Sequence, residues 1–144
     1  MNYYTIGKLA KLVQKTPVTI RYYEKIGLIP ESKRSEGGFR LYPESLIRRF
    51  YFIQNAKLIG FDLNEIKNLL NLETNQSPSQ QIKSCMQQKI SHIEAKIKGL
   101  QRIKQALMHW EQDCDGNITI AECPILQTLY LPPEDIREYL KNDQ

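Results

Sequence analysis

The chain has 144 residues, of which 41% are hydrophobic and 25% are charged. This composition is typical of one small soluble protein, or of a compact domain that carries an extended element. No segment approaches the roughly 20 apolar residues that a membrane span needs, and the N-terminal sequence lacks the apolar core of a signal peptide. We therefore expect a cytoplasmic protein without a membrane partner.

The charge is unevenly distributed along the chain. Residues 1–60 hold 11 Lys and Arg against 4 Asp and Glu, whereas residues 61–144 hold 9 against 12. A basic N-terminal part on a mildly acidic remainder indicates a domain that binds a polyanion. A merely solvated basic surface would give the same balance, so charge alone leaves both interpretations open.

Two short helices are predicted at the start of the chain. Thr5 is placed to cap the first, which carries Leu9 on its apolar face, and Thr16 is placed to cap the second, with Pro17 at its first position. Gly27 is expected to end the second helix. Two short helices joined by a tight turn form a helix-turn-helix.

A basic hairpin is predicted next. The pair Gly37 and Gly38 lies between two short extended runs that carry Lys33, Arg34 and Arg40. A basic hairpin directly after a helix-turn-helix is a wing, which grips phosphates beside the groove that the helix occupies. An ordinary surface hairpin is the alternative. The coincidence of helix, wing and charge favours DNA binding.

Three further helices follow in the prediction. Pro43 is expected to open one that runs to about Ala56, and Asp62 to cap another, LNEIKNLLNL. After the polar linker ETNQSPSQ, apolar residues from about Ser79 to Gln112 recur every three or four positions, close to a heptad seam. Such a helix of about 33 residues spans roughly 50 Å. Because a small head cannot bury that whole stripe, we infer a homodimer, which also suits a palindromic DNA site.

The cysteines suggest the effector chemistry. Their odd number, three, argues against a disulfide framework in a cytoplasmic chain. Cys114 and Cys123 enclose an eight-residue loop, after which Pro124 begins a short helix. Two thiolates held by one short loop select soft ions, although two structural thiols are the alternative. Cys85 lies beside the seam residue Met86, and we interpret it as a small buried filler.

These patterns together resemble one known family. The segments TIGKLAKLV, TIRYYEKIGLI, RSEGGFRLY and AKLIGFDLNEI, with the C-x8-C-P-I-L ending, are similar to the mercury-resistance (MerR) family of bacterial transcription regulators over nearly the whole chain. The resemblance implies a mainly α fold. Its parts are a winged helix-turn-helix domain (1–75), a long antiparallel coiled-coil dimerisation helix (76–112), and a C-terminal metal-binding loop with short helices (113–144).

The resemblance also implies a mechanism and DNA-contacting residues. Family members bind promoters whose spacer is too long for RNA polymerase, and an effector makes the dimer bend and untwist that DNA. Relatives often carry a polar or basic residue where this chain has Val18, which leaves the base-specific contacts open. Tyr23 is assigned to the core. The implied DNA-binding residues are Thr19, Arg21 and Tyr22 on the second helix, Arg34, Arg40 and Tyr42 on the wing, and Lys57 behind it.

The metal preference also comes from the resemblance. Relatives sort metals by a residue 35 positions before the first loop cysteine, supplied by the other subunit. It is Cys in sensors of divalent ions and Ser in sensors of monovalent copper, silver or gold. Here that position is Ser79, which implies Cu⁺ or Ag⁺ held by Cys114 and Cys123, as in copper-efflux regulators. Two thiolates satisfy a +1 ion, whereas Zn²⁺ usually takes four ligands.

Three alternatives stay open. The first is a divalent sensor of Zn, Cd, Pb or Hg, with a ligand added by Cys85, Asp113, Asp115 or His109, because the loop is one residue longer than expected for copper-type relatives. The second is a sensor of aldehydes or oxidants that uses one cysteine of low pKa. The third, a metalloenzyme, is disfavoured because no residue cluster suggests an open catalytic metal site. We expect a regulator and not an enzyme.

Overall fold

A computed structural model describes residues 2–142. The mainly α fold predicted from the sequence is confirmed, with a small sheet in its first half. The elements are β1 Tyr3–Thr5, α1 Ile6–Val13, α2 Pro17–Lys25, β2 Lys33–Arg34, β3 Arg40–Pro43, α3 Leu46–Leu58, α4 Leu63–Thr74, α5 Ser79–Asp113, a 3-10 turn Ile120–Glu122, α6 Pro124–Leu129 and α7 Pro133–Asn142.

The chain divides into two units, an N-terminal unit of residues 1–85 and a C-terminal unit of residues 86–144. The functional boundaries after residues 75 and 112 stay a prediction, because they concern which residues bind DNA, the partner and the effector. No helix of the described residues is long and apolar enough to cross a membrane.

The helix-turn-helix follows from its capping residues, as the sequence predicts. The Thr5 hydroxyl accepts a hydrogen bond from the backbone N–H of Lys8 at 3.4 Å, and the Thr16 hydroxyl accepts one from Thr19 at 3.2 Å. Each cap satisfies a backbone donor that the first turn of its helix leaves free. Gly27 follows α2 with a φ of +76°, a conformation that glycine adopts without strain.

The wing is part of a three-stranded sheet in the order β1-β3-β2, with both pairs antiparallel. The hairpin of β2 and β3 pairs Arg34 with Arg40, which confirms the predicted wing. The strand β1 was not predicted. Pro43 does not open a helix but ends β3, and α3 begins at Leu46. The fixed φ of proline fits the end of a strand as well as a first helical turn, so the sequence signal was ambiguous.

The hydrophobic core of the N-terminal unit joins α1–α4 to the sheet. Tyr23 is 3% exposed and its ring lies 5.9 Å from that of Phe50, which confirms its core assignment. The Asp62 cap of α4 is also confirmed, because its carboxylate accepts from the Glu65 N–H at 2.8 Å. The buried side chains are Leu9, Ala10, Val13, Ile20, Tyr23, Leu28, Ile29, Tyr42, Leu46, Phe50, Ile53, Ala56, Phe61, Ile66, Leu69 and Leu70.

The C-terminal unit buries very little within one chain. Among its described apolar side chains only Ala106 is buried. The Trp110 ring lies 5.9 Å from the ring of Tyr139, so Tyr139 of α7 contacts the last turn of α5. The apolar stripe along α5 is between 41% and 64% exposed at Ile90, Ile93, Ile97, Leu100, Ile103 and Leu107.

Candidate DNA-binding cleft and cysteine pair

The outer face of α2 carries the predicted recognition residues. Ile20 and Tyr23 are buried on the inner face, so Arg21 and Tyr22 lie on the solvent side, where Tyr22 is 50% exposed. Thr19 is only half-buried, but its hydroxyl lies 3.0 Å from that of Thr16. Thr19 therefore supports the helix cap, while Arg21 and Tyr22 are free to meet a partner.

The helix α2 and the wing line a common cleft of about 580 Å³. Arg21 and Lys25 face it from α2, and Arg40 faces it from β3. Glu24 and Glu31 also line it. The cleft therefore places cations from the helix and from the wing around one space, as a phosphate-binding surface requires.

Glu24 connects the parts of this cleft. Its Oε1 accepts hydrogen bonds from the N–H of Ser32 at 2.9 Å and from the Ser32 hydroxyl at 2.8 Å. Its Oε2 accepts from the Tyr42 hydroxyl at 2.9 Å and lies 3.9 Å from Nε of Arg40. Burial alone would raise the pKa of Glu24, but the bonds from Ser32 and Tyr42 and the Arg40 charge outweigh it and hold the pKa below its usual value.

The remaining predicted DNA contacts lie in different settings. Arg34 is exposed on the wing, where it donates to the Gly38 carbonyl at 2.8 Å. Tyr42 is 0% exposed, so this geometry does not favour a direct DNA contact, which stays a prediction. Burial and the bond to Glu24 raise the pKa of Tyr42. Lys57 is exposed and lines a separate cavity with Lys15.

The structure brings Cys114 and Cys123 together. Cys114 directly follows α5, and Cys123 is the residue before the first turn of α6. The pKa of the Cys123 thiol is lowered, chiefly by the backbone N–H of Leu126. Desolvation opposes this shift, whereas the backbone N–H of Ile125 and the Cys114 thiol add to it. A thiol with a lowered pKa more readily supplies the thiolate that soft ions bind.

The surroundings of this cysteine pair are largely apolar. A cavity of about 380 Å³ beside Cys114 is lined by Leu107, Trp110 and Ile125, together with Glu111, Asp115 and Gly116. Asp115 already accepts a hydrogen bond from the N–H of Asn117 at 2.9 Å. Within residues 2–142, no three His, Cys, Asp or Glu side chains form a metal-binding group. The donors at hand are two thiols, a set that suits a soft ion.

The other predicted metal-site residues lie outside this pair. Ser79 is exposed at the first position of α5, and Cys85 is half-buried; both belong to the N-terminal unit. His109 and Asp113 are exposed near the end of α5. Glu24 is a residue of the cleft that the sequence does not predict, because its partners lie 8 to 18 residues away and leave no local pattern.

A winged helix-turn-helix with a basic cleft, followed by a long helix and a cysteine pair, defines an effector-responsive regulator that binds DNA. The family model described as "MerR family regulatory protein" matches residues 5–42, and the one described as "MerR, DNA binding" matches residues 47–110. The chain belongs to the MerR family, and the resemblance inferred from its motifs is confirmed.

Characterised relatives match over most of their length. The mercuric resistance operon regulatory protein of Bacillus cereus is 39% identical, over 88% of this chain and 96% of that protein. The HTH-type transcriptional regulator ZntR of Escherichia coli K12 is also 39% identical, over 88% and 92%. The crystal structure of the transcription regulator PbrR691 of Ralstonia metallidurans CH34 in complex with lead(II) matches with a TM-score of 0.79 and 36% identity, over 86% of this chain and 97% of that one.

Proposed function

We propose that this protein is a dimeric, metal-responsive transcription regulator that binds and distorts promoter DNA to activate metal-resistance or efflux genes. The observation that carries the proposal is the placement of two neighbouring thiols, Cys114 at the end of α5 and Cys123 at the start of α6, in a winged helix-turn-helix chain of this family. It acts as a regulator, not as an enzyme, and works in the cytoplasm, where its DNA and RNA polymerase are found.

The N-terminal unit is the DNA-binding part. Arg21 and Tyr22 are exposed on α2 and enter the major groove, with Thr19 supporting the first turn. Arg34 and Arg40 on the wing, with Lys57 behind it, meet the backbone phosphates. The cleft between α2 and the wing supports this assignment, because it is lined by Arg21, Lys25 and Arg40.

The helix α5 pairs with that of a second copy in an antiparallel coiled coil. Its apolar stripe is at least 41% exposed from Ile90 to Leu107, although each such side chain contributes about 1.5–3 kcal/mol when buried. A second copy carries the same stripe and covers it symmetrically. The dimer then presents two DNA-binding units to a palindromic site.

Cys114 and Cys123 hold the effector as thiolates. A bound soft ion supplies a cross-link between the end of α5 and the start of α6, which the two thiols make possible. The backbone N–H groups of Ile125 and Leu126 favour the charged form of Cys123. Holding the loop in this arrangement shifts the dimer towards its DNA-distorting state, by as much as the ion's affinity differs between the two states.

For the ion itself we favour Cu⁺ or Ag⁺. The donors that one chain brings together are two thiols, which satisfy a +1 ion. Ser79 at the sorting position adds no thiol from the partner subunit. A divalent ion is the second candidate, because the PbrR691 structure contains lead(II) and the Bacillus cereus relative regulates mercuric resistance. In that case Cys85 is the nearest source of a third thiolate in sequence.

Metal titration of the reduced dimer distinguishes these ions. We expect one Cu⁺ or Ag⁺ per chain, in preference to Zn²⁺, Cd²⁺, Pb²⁺ and Hg²⁺, and two sulfur neighbours by X-ray absorption. Cys114→Ser and Cys123→Ser should each abolish the transcriptional response without weakening DNA binding. Cys85→Ser is the matched control and should respond as the parent does. Three sulfur neighbours, or no response in Cys85→Ser, would contradict the assignment of a monovalent ion and favour a divalent one.

The same variants separate metal sensing from thiol chemistry. An aldehyde or oxidant sensor uses one reactive cysteine. One of the two variants, Cys114→Ser or Cys123→Ser, would therefore still respond. A metal sensor that needs both thiols would lose its response in each variant.

The DNA assignment has its own test. Arg21→Ala should weaken binding to the preferred promoter by about 1–3 kcal/mol, the cost of a lost base contact. Arg40→Ala should weaken binding more uniformly across sequences, because its contact is to phosphate. Arg102→Ala on α5 removes the same charge outside the cleft and is the control. Parent-like binding by both cleft variants would contradict the winged-helix assignment.

A further inference from the structure

The cleft contains an acidic residue that charge alone does not explain. Glu24 lies among Arg21, Lys25 and Arg40 in a cleft that, under the proposed function, faces a polyanion. A carboxylate there repels phosphate, and nothing in the cation pattern requires it. However, the Glu24 side chain is only 12% exposed, and both of its oxygens have partners. Its role is therefore directed inward.

The partners of Glu24 belong to three separate segments. Glu24 itself lies on α2, Ser32 on the loop that leaves α2, and Arg40 and Tyr42 on β3. Oε1 takes both hydrogen bonds from Ser32, and Oε2 takes the bond from Tyr42 and faces Arg40. One carboxylate thus links α2, which carries the proposed groove contacts, to both ends of the wing: to Ser32 just before β2 and to Tyr42 on β3.

The Glu24 carboxylate joins two elements that share a neighbour. Both α2 and β3 pack against α1, and Glu24 adds a direct side-chain link from α2 to β3. Tyr42, which is fully buried, anchors the inner end of the wing strand by its ring and offers its hydroxyl to Glu24. Arg40, two residues earlier, keeps 39% of its side chain exposed. It is therefore guided by Glu24 on one side and free for a ligand on the other.

We propose that Glu24 is a positioning residue for DNA binding: its carboxylate fixes the wing on the recognition helix and sets the place from which Arg40 meets a phosphate. The proposal rests on the proposed DNA-binding function. Pre-ordering Arg40 lowers the entropy that binding would otherwise cost, and it fixes the distance between groove contacts and backbone contacts. The negative charge of Glu24 is tolerated because Ser32 and Tyr42 donate hydrogen bonds to the carboxylate and Arg40 lies beside it.

The sign of one substitution tests the proposal. Glu24→Gln and Glu31→Gln remove the same charge from the same cleft, but Glu31 is exposed and does not join the wing to α2. By charge alone, both should bind DNA more tightly than the parent. We expect Glu31→Gln to do so slightly, whereas Glu24→Gln binds about fivefold and Glu24→Ala about tenfold more weakly, on the scale of one charge-assisted contact.

The measurement is DNA affinity against salt concentration, on duplexes that the parent selects from a random-sequence pool. Because the proposed dimer loses the Arg40 contact in both chains, the salt slope of Glu24→Ala should fall by about 0.9 per chain, or about 1.8 for the dimer. Arg40→Ala should then cost little in the Glu24→Ala background, although it weakens the parent. If Glu24→Ala causes only a structural defect, the salt slope should stay unchanged, and the affinity losses of Glu24→Ala and Arg40→Ala should multiply in the double variant. That result would overturn the proposal.

The remaining outcomes are also decisive. Glu24 variants that bind as tightly as the parent, or more tightly, as Glu31→Gln does, overturn the positioning role. If circular dichroism shows that Glu24→Ala does not fold, Glu24→Gln decides by the direction of its change. If the folded parent shows no salt-dependent DNA binding, the proposed function itself is wrong. If the parent binds DNA and the Glu24 variants bind equally well, only the role of Glu24 is wrong.

Discussion

The two units differ in how much apolar surface they bury within one chain. In the N-terminal unit, four helices and a sheet enclose side chains such as Phe50 and Ile53, both 0% exposed. In the C-terminal unit, Ala106 is the sole described apolar side chain that is buried, and the stripe on α5 lies open. The first unit contains its own core, whereas the second has the surface of half an interface. This difference matches the proposed function, in which the first unit binds DNA and the second pairs with another copy.

The largest expected effect is on the α5 stripe. Ile93→Asp with Leu100→Asp places charges where the proposed partner helix packs, which should raise the dimer dissociation constant at least a thousandfold, or about 4 kcal/mol. Sedimentation at micromolar concentration should show monomers, or an unfolded C-terminal unit, with the N-terminal unit intact. Ser91→Asp with Gln105→Asp adds the same charge to the opposite face of α5 and should stay dimeric. If the parent is a folded monomer, the exposed stripe on α5 is not a dimer interface.

A smaller effect is expected inside the N-terminal unit. The Asp62 carboxylate and the Glu65 side chain cap α4 reciprocally, at 2.8 Å and 3.0 Å. Asp62→Ala should therefore lower the unfolding free energy of this unit by about 1 kcal/mol. Urea denaturation followed by circular dichroism measures the loss, and Asn64→Ala in the same helical turn is the control. Because Asp62 lies in a different unit from Cys114 and Cys123, we expect the metal stoichiometry to stay the same. A changed stoichiometry would contradict this expectation.

The smallest expected effect is a pH dependence at Glu24. Its pKa in the folded chain lies below the ordinary value of 4.5, so the folded state favours the carboxylate. The stability that this group contributes is present above about pH 4.5 and is lost as the pH falls through the folded pKa. Urea denaturation of the parent and of Glu24→Gln from about pH 6 to pH 3 should show their difference shrinking on acidification. A constant difference would mean that the Glu24 charge does not stabilise the fold.

Local signals were enough to predict most helices. The caps at Thr5, Thr16 and Asp62 act within three residues of themselves, so the sequence carries them in full. The strand β1 was missed because its three residues gain their pairing from β3, nearly 40 positions later. Pro43 was placed in a helix because its restricted backbone suits both a strand end and a helix start.

The candidate sites show the same limit. The loop cysteines are nine positions apart and follow a recognisable helix, so the sequence alone predicts that they lie close together. Exposure of Arg21 and Tyr22 followed from the inner-face residues Ile20 and Tyr23. Glu24 was not predictable, because a glutamate on an amphipathic helix is ordinarily solvated. Only the fold brings Ser32, Arg40 and Tyr42 around it.

The packing of Trp110 has a practical consequence. This is the only tryptophan in the sequence. Its ring lies beside that of Tyr139 and lines the cavity next to Cys114. The indole therefore gives the cysteine loop a built-in optical probe, with an emission separable from that of the tyrosines in the N-terminal unit. Fluorescence excited at the red edge of the indole band would follow loop ordering in the unmodified protein, on the timescale of mixing and without an attached dye.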